Sequence, residues 1–307
     1  MRIAVQDNWL SKFSGVLQRY WESKGHTVLF EPGFNPNLIE SCDRVFFESA
    51  DTNAHLAAQQ RPHKKGKVFV RVVDVDAHAN GPAGLREGYF DGIIYIAQHI
   101  KDMCDKRFQN LKGTPSKVIP MGVDLSKFTY RERTPGKKVA FISTRLTPEK
   151  GFDRALMIFR ELQKRSSQWE LHVVGRMLEN SIWEMHINHL LDGLENVHLH
   201  GNLPYNTGNE INDFLEDKDY LLLASHKEAF SFAVAEAMAK GIRPVIYNFW
   251  GAKDIWREQD LFRNEHEAVK LFEDGQYTPQ LYRLYIEQKY SLEKHLKEMS
   301  DYMGINV

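Results

Sequence analysis

The sequence has few cysteines, no long apolar run and almost no net charge. Two cysteines in 307 residues cannot form a disulfide framework, which favours a reducing compartment. No stretch approaches the roughly 18 apolar residues that a membrane span needs, and the N-terminus lacks the apolar core of a secretion signal. With 40 basic and 41 acidic side chains, the overall charge does not mark a nucleic-acid-binding protein. We expect a soluble, cytoplasmic protein, with peripheral membrane contact left open.

What the sequence does contain is a regular alternation of short apolar runs and amphipathic stretches, with 42% hydrophobic residues. This alternation predicts parallel sheets with crossover helices. The predicted strands are 2–6, 27–30, 44–48, 67–73, 92–97, 116–121, 138–143, 170–174, 197–200, 220–224 and 244–247. The main predicted helices are 16–24, 99–108, 152–164, 184–191, 232–240 and 280–303. The pattern restarts after a turn signal at 134–136, so we expect one domain over 1–128 and another over 129–284, with a final helix at 285–307 rejoining the first.

The first informative segment is 143–151, with the sequence STRLTPEKG. It follows a predicted strand and precedes a predicted helix, so Arg145 and Lys150 should lie at the carboxyl end of a parallel strand, where open α/β sheets bind ligands. An arginine fork and a lysine point charge together suit a diphosphate. The alternative is an ordinary solvated loop.

The second segment is 228–239, EAFSFAVAEAMA, in which two glutamates stand eight residues apart. Glu228 follows a very apolar strand, and Glu236 lies inside the next helix, about two helical turns after Glu228. If that helix begins near Ser231, its first N–H groups can bind an anion, and Glu236 can accept hydrogen bonds from sugar or ribose hydroxyls. Taken alone, this spacing also occurs on ordinary helix surfaces.

The two segments gain significance because they belong to a series of six motifs that occur in a fixed order. The six motifs are VIPMGVDLSKF (118–128), STRLTPEKG, LHVVG (171–175), VHLHG (197–201), the two-glutamate helix and GIRPVIY (241–247). This order resembles the C-terminal domain of the glycosyltransferase family 4 enzymes. The resemblance covers 117–256 and is weaker over 1–116. It implies an α/β protein of the GT-B fold, with two Rossmann-like domains facing across a cleft.

The resemblance also implies an activity and a donor site. The expected enzyme is a hexosyltransferase that moves a sugar from a UDP- or GDP-sugar with retention of configuration, without a metal or a resident cofactor. Arg145 and Lys150 match the diphosphate-binding pair, Glu236 the ribose-binding carboxylate, and Glu228 the carboxylate near the transferred sugar. The other implied donor-binding positions are Gly15, Gly175, Arg176, Asn202, Leu203, Phe230, Ser231 and Phe232. Ala229 and Ser231 replace two glycines of the family motif, which narrows the sugar pocket.

The expected acceptor side is the segment 70–78, VRVVDVDAH. Asp74 and Asp76 alternate, so on a strand they would share one face. A D-x-D pattern can bind a metal, but the C-terminal motifs resemble a metal-free class, and we expect no metal. Asp74, Asp76 or His78 would instead orient or polarise the acceptor hydroxyl, although His78 also fits an ordinary loop. His198, His200 and the other histidines lack a recognised ligand spacing, so no metal site is expected there either.

The acceptor class stays open on sequence alone. A surface polysaccharide or a lipid-linked glycan is our first expectation. The basic run 61–71, RPHKKGKVFVR, could instead meet an anionic acceptor or be a solvated loop, and it raises a second hypothesis, a phage-type enzyme that glycosylates modified DNA bases. A sugar-nucleotide 2-epimerase and an inactive nucleotide-binding module are further alternatives. The aromatic residues Trp9, Phe13, Tyr20 and Trp21 either form an interfacial patch or pack against the core.

Overall fold

The computed structural model describes residues 1–8, 13–203 and 209–307, and the chain divides into two compact units. The first unit comprises Met1–Gly122 and Leu292–Val307, and the second comprises Val123–Ser291. The first unit therefore ends a few residues before the predicted boundary at 128. The returning segment begins at Leu292 rather than at 285.

The first unit is built on a six-stranded parallel sheet with the order β2-β1-β3-β4-β5-β6. Its strands are β1 (Arg2–Gln6), β2 (Thr27–Glu31), β3 (Arg44–Phe47), β4 (Lys67–Val72), β5 (Gly92–Tyr95) and β6 (Ser116–Val118). Its first five helices are α1 (Gly15–Ser23), α2 (Pro36–Ser41), α3 (Thr52–Gln60), α4 (Asp74–His78) and α5 (Gln98–Arg107). The four central strands are largely buried, which explains their apolar sequences, whereas the edge strands β2 and β6 are partly exposed.

The core of the first unit joins both ends of the chain. Ile3 and Trp21 pack in the same apolar cluster as Met299 and Met303 of the returning segment. The indole of Trp21 donates a hydrogen bond of 2.9 Å to the hydroxyl of Ser300, deep in the interior. Trp21 is therefore a core residue and not part of an interfacial patch. Trp9, the other tryptophan considered for that patch, lies outside the described residues.

The second unit contains another six-stranded parallel sheet, with the order β12-β11-β10-β7-β8-β9. Its strands are β7 (Lys138–Leu146), β8 (Glu170–Met177), β9 (Val197–Leu199), β10 (Tyr220–Leu223), β11 (Arg243–Tyr247) and β12 (Leu261–Phe262). Its helices are α6 (Phe152–Arg165), α7 (Ile182–Leu191), α8 (Glu210–Phe214), α9 (Phe232–Ala239), α10 (Ala252–Ile255), α11 (Glu265–Glu273) and α12 (Pro279–Tyr290), after which α13 (Leu292–Met303) belongs to the first unit.

The predicted helix at 280–303 is wrong as a single element, because it is two helices separated at Ser291. The backbone of Ser291 is extended (φ −67°, ψ 145°), and the residue forms a parallel bridge with Val123. None of the helices in the described residues is long and apolar enough to cross a lipid bilayer.

Strand order determines where a ligand can bind the second unit. β7 lies between β8 and β10, so the chain winds in opposite directions on either side of it. In parallel sheets of this kind, ligands bind outside the carboxyl ends of the strands at such a switch point. The carboxyl ends of β7, β8 and β10 therefore define the expected ligand site of this unit.

Candidate active site

Two arginines lie side by side near the ends of β7 and β8. Arg145 and Arg176 are register partners in these neighbouring parallel strands, and both are exposed. Neither guanidinium has a hydrogen-bond or ion-pair partner among the described residues. Arg145 was predicted in a loop, but β7 continues to Leu146 after a register shift between Ile142 and Arg145. The pair presents two positive charges to solvent.

Lys150 and Glu228, which are far apart in sequence, form an ion pair. The Lys150 ammonium nitrogen is 2.7 Å from Oε1 of Glu228, and the two side chains are 34% and 15% exposed. Lys150 lies in the short 3-10 turn Pro148–Lys150 that links β7 to α6. The carboxylate holds the lysine in place, and the remaining exposure leaves its charge accessible to a ligand.

Gly151 explains how the turn carrying Lys150 approaches the strand end so closely. Its backbone has φ +66°, and a Cβ at this position would collide with the carbonyl oxygen of Ala224, just beyond β10. Only glycine adopts this conformation without strain and also fits the space. Because this turn approaches the end of β10 so closely, Lys150 lies next to the segment that carries Glu228.

We expect Gly151→Ala to lower the free energy of unfolding by about 3 kcal/mol or more, because it adds a steric collision to an unfavourable φ. Gly201→Ala is the matched control. Gly201 has nearly the same φ, +65°, but no atom of the described residues lies within 4 Å of its Cβ position, so we expect only the backbone cost of about 1 kcal/mol. Urea denaturation measures both variants, and equal losses would contradict the steric explanation.

Helix α9 begins at Phe232, the position predicted for its start. The Ser231 hydroxyl accepts a hydrogen bond of 3.4 Å from the Val234 amide and caps the helix. Ser231 has φ −100°, and Ala229 is not among the residues with positive φ. The two side chains that replace family glycines are therefore accommodated without backbone strain.

The ring of Phe230 does not point to a ligand position. It packs at 5.3 Å from the ring of Tyr290 and at 5.8 Å from that of Trp256, in an aromatic cluster. Phe232 contacts the same ring at 5.2 Å. These aromatic side chains hold the loop before α9, so any contribution of Phe230 to donor binding comes from its backbone.

Glu236 lies on α9 and is a partly buried residue. Burial raises the pKa of Glu236 to about 8, and the charge of Lys127 opposes this rise only in part. Within the described part of the chain, no hydrogen-bond donor contacts its oxygens. Lys127 was not recognised as a site residue, although it lies in the VIPMGVDLSKF motif. A buried carboxyl without a hydrogen-bond donor in the described residues is suited to accept hydrogen bonds from hydroxyl groups of a ligand.

The remaining predicted donor positions lie at the ends of β8 and β9. Gly175 has φ +148°, and a Cβ there would lie 2.8 Å from the Ser143 carbonyl oxygen. Its amide donates a 2.8 Å hydrogen bond to the carbonyl of Gly201. Asn202 is exposed and Leu203 partly exposed directly after this junction. Gly175 thus joins the two strand ends beside Arg176.

On the acceptor side, the prediction that Asp74 and Asp76 share one face of a strand is wrong. Strand β4 stops at Val72, and both residues lie in the short helix α4, where residues two apart point in different directions. The buried carboxylate of Asp76 accepts hydrogen bonds from the Ser49 hydroxyl (2.6 Å) and the Ala50 amide (2.9 Å).

Asp76 also accepts a hydrogen bond of 3.1 Å from the Val73 amide, at the start of α4. Burial raises the pKa of this carboxyl, and these hydrogen bonds act against the rise. With both oxygens occupied inside the protein, Asp76 positions the loop and helix rather than an acceptor.

Asp74 and His78 instead form a pair on one side of α4. Nε2 of His78 lies 3.1 Å from Oδ1 of Asp74, and both side chains are about one-third exposed. A histidine oriented by a carboxylate is an arrangement that can take up a proton. Gly15, the other predicted position in this unit, is buried at the start of α1, next to Ser14, whose hydroxyl donates to Asp7.

The basic run 61–71 does not form an open positive surface. Lys64 pairs with Asp91 at 2.8 Å, and Lys65 pairs with Asp43 at 3.0 Å. Arg71 is fully buried and lies 2.6 Å from Glu48, whose pKa burial raises to about 7. Most of the positive charge of this run is therefore neutralised within the unit.

Comparison with known proteins agrees with this architecture. Residues 127–297 match the family model described as glycosyl transferases group 1, and the chain belongs to that family. It is a glycosyltransferase, of a family that uses nucleotide-sugar donors. No curated protein matches in sequence.

Among solved structures, a glycosyltransferase from Rickettsia africae is 14% identical with a TM-score of 0.74, over 98% of this chain and 97% of that one. The Anabaena protein HepE in complex with UDP is 16% identical with a TM-score of 0.72, over 99% of both chains. The lipopolysaccharide outer core galactosyltransferase WaaB has the same identity, coverage and TM-score. These neighbours share the GT-B fold, with its two parallel α/β sheets.

Proposed function

We propose that the protein is a retaining glycosyltransferase that transfers a hexose from a UDP-sugar to a glycan hydroxyl and needs no metal ion for the transfer. The observation that supports this most directly is the group of cations at the strand ends: Arg145 beside Arg176, and Lys150 held by Glu228. Departure of a nucleoside diphosphate builds negative charge on its oxygens. Preorganised positive groups at that charge are commonly the largest contribution to the rate.

The other groups divide the remaining tasks of this reaction. Glu236 would accept hydrogen bonds from the ribose hydroxyls, and the free N–H groups at the start of α9 would face the phosphate or sugar. The Asp74–His78 pair of the first unit would orient the acceptor hydroxyl. Retention of configuration follows from the resemblance to family 4. The choice of UDP is supported by the HepE complex.

A glycan acceptor, free or lipid-linked, is favoured over DNA. The WaaB neighbour acts on a lipopolysaccharide core, and the basic run considered for DNA is mostly paired with acidic groups. A DNA-binding surface would need free cations that follow the phosphate backbone. We place the protein in the cytoplasm, where nucleotide sugars and reduced thiols coexist.

The first test combines donor binding and metal dependence. We expect UDP to raise the melting temperature by mass action, with a larger effect than GDP at equal concentration. With a UDP-hexose and glycan acceptors, transfer should persist in excess EDTA, and proton NMR should show the anomeric configuration of the donor in the product.

Several outcomes would overturn parts of this proposal. Loss of transfer in EDTA that Mg²⁺ or Mn²⁺ restores would disprove metal independence, and an inverted product would disprove retention. Conversion of the UDP-sugar to its epimer without an acceptor would identify an isomerase. A salt-sensitive gel shift with duplex DNA would favour the DNA acceptor.

A further inference from the structure

A cluster of imidazole and carboxylate groups lies on the edge of the second sheet, outside the candidate active site. We infer that Glu170, His172 and His198 form a binding site for a transition-metal ion of the zinc type. Glu170 and His172 alternate along β8 and so share one face, and His198 is the register partner of His172 on β9. One ligand atom from each of the three lies within 4.8 Å of the other two.

One ligand-atom distance is close to that of a metal site, and the third ligand lies near enough to join it by a side-chain rotation. Oε2 of Glu170 is 3.0 Å from Nε2 of His172, and the rings of His172 and His198 stack with centroids 4.6 Å apart. Zinc binds nitrogen and oxygen at roughly 2.0–2.2 Å with tetrahedral angles, which separates neighbouring ligand atoms by about 3.3–3.5 Å. His198 is exposed and can rotate into place, so the backbone need not move.

The second nitrogen of His172 is also held. Its Nδ1 lies 3.2 Å from Nε2 of His200, and the two rings are nearly parallel, at 19°. His200 in turn contacts the ring of Phe214. Histidines that bind metals commonly have the other ring nitrogen hydrogen-bonded to a carboxylate, carbonyl or water, which sets the tautomer and the ring orientation; here the imidazole of His200 is that partner.

The donor set favours some ions over others. Two histidines and one glutamate recur as zinc ligands and leave a further position for water, whereas Mg²⁺ prefers oxygen ligands. β9 is an edge strand, so an ion can enter from solvent. Two lysines act electrostatically on the cluster, Lys218 on His172 and Lys138 on Glu170, and both are paired with the same carboxylate, that of Asp217.

This site is separate from the transfer chemistry. His172 precedes Arg176 by four residues on the same strand, a distance of roughly 13 Å at about 3.3 Å per residue. An ion bound at His172 and His198 would link the edge strand β9 to β8. The expected role is to stabilise that edge, and it is independent of the metal-free transfer proposed above.

The test is a calorimetric titration of untagged protein with ZnCl₂, and with MgCl₂ as the comparison. We expect one zinc ion per chain and no Mg²⁺ binding. His198→Ala and Glu170→Gln should each weaken zinc binding more than tenfold. The control is His189→Ala, because His189 is exposed on α7 and outside the cluster; it should bind zinc as the wild type does.

A thermal-shift series supplies a second readout that does not depend on enzyme activity. Zinc should raise the melting temperature of the wild type and of His189→Ala by several degrees, but not that of His198→Ala. The calorimetric titration should use a protein concentration about 100-fold above the detection limit of the instrument. If the wild type binds no zinc under these conditions, the cluster is only a hydrogen-bonded stack of imidazoles. Equal zinc binding by His198→Ala and the wild type would likewise overturn the assignment.

Discussion

Replacement of Lys150 by alanine should lower the rate of sugar transfer by about 10²–10³. The ammonium group is accessible beside the strand ends and is held by Glu228 at 2.7 Å, so it is already in place when charge develops on the leaving diphosphate. The loss should appear mainly in kcat, because the interaction strengthens as that charge forms. Initial rates with a saturating UDP-hexose measure this effect.

Lys138 offers a matched control for this variant. It lies at the other end of the same strand, β7, and forms an exposed ion pair of 2.9 Å with Asp217. Both ion pairs are partly exposed, so either lysine contributes only about 0–1 kcal/mol to stability. Lys138→Ala should therefore keep the wild-type rate, and both variants should melt near the wild-type temperature.

Lys150→Arg refines the experiment. The charge is kept while the donor geometry changes, so this variant should retain more of the rate than Lys150→Ala. A wild-type rate in Lys150→Ala, or an equal loss in Lys138→Ala, would remove Lys150 from the proposed mechanism.

The second large effect concerns Glu236, whose replacement by glutamine should stabilise the free protein and weaken UDP binding. Burial raises the pKa of Glu236 from 4.5 to about 8. At pH values between these two pKa values, the carboxyl of Glu236 is ionised in the unfolded chain but still protonated in the folded protein. The free energy of unfolding therefore falls as pH rises from about 4.5 to 8. Glu236→Gln removes that titration.

The free energy of unfolding of Glu236→Gln should therefore exceed that of the wild type by little near pH 4. The difference should increase up to about pH 8 and stay constant above it. About 1–3 kcal/mol is expected at pH 8. Urea denaturation over this pH range measures the curve. Glu161→Gln is the control, because Glu161 forms an exposed surface pair with Lys164 and should show no comparable pH-dependent gain.

The same variant should bind UDP about 10–100-fold more weakly, because hydrogen bonds to an ionised acceptor contribute about 1.5–3 kcal/mol. The affinity of the wild type for UDP should increase from pH 7 to 9 as the carboxyl ionises, whereas the affinity of Glu236→Gln should not. Calorimetric titration with UDP at several pH values measures both affinities. Unchanged UDP affinity in Glu236→Gln would show that this carboxyl does not hold the nucleotide.

Much of the fold could be predicted because the central strands of its two sheets, such as β3, β5 and β10, are largely buried and therefore appear as continuous apolar runs. β1 matches its predicted range at both ends. Helix α4 was missed because the alternation of Asp74 and Asp76 imitates a strand, whereas the hydrogen bonds of Asp76 fix a helical turn. The break at Ser291 depends on its bridge to Val123, a contact between distant segments.

The candidate site, like the fold, was predictable where the signal is local in sequence and not where it depends on contacts between distant segments. The segments that carry Lys150 and Glu228 were recognisable in sequence, and the structure brings the two side chains together; their roles in donor binding stay predictions. The cluster around His172 was not predicted because its ligands lie on two separate strands and show no ligand spacing within one stretch of chain. The signal was present as two alternating pairs, Glu170 with His172 and His198 with His200, but it becomes a cluster only once β8 and β9 pair in register.

The return of α13 to the first unit has a consequence for biosynthesis. The second unit is one continuous segment, Val123–Ser291, so all of its residues are available before synthesis ends. The first unit cannot complete its core until the segment with Met299 and Met303 has been made, since these residues pack against Ile3 and Trp21. Of the two units, the one whose synthesis begins first is therefore the one that completes its core last.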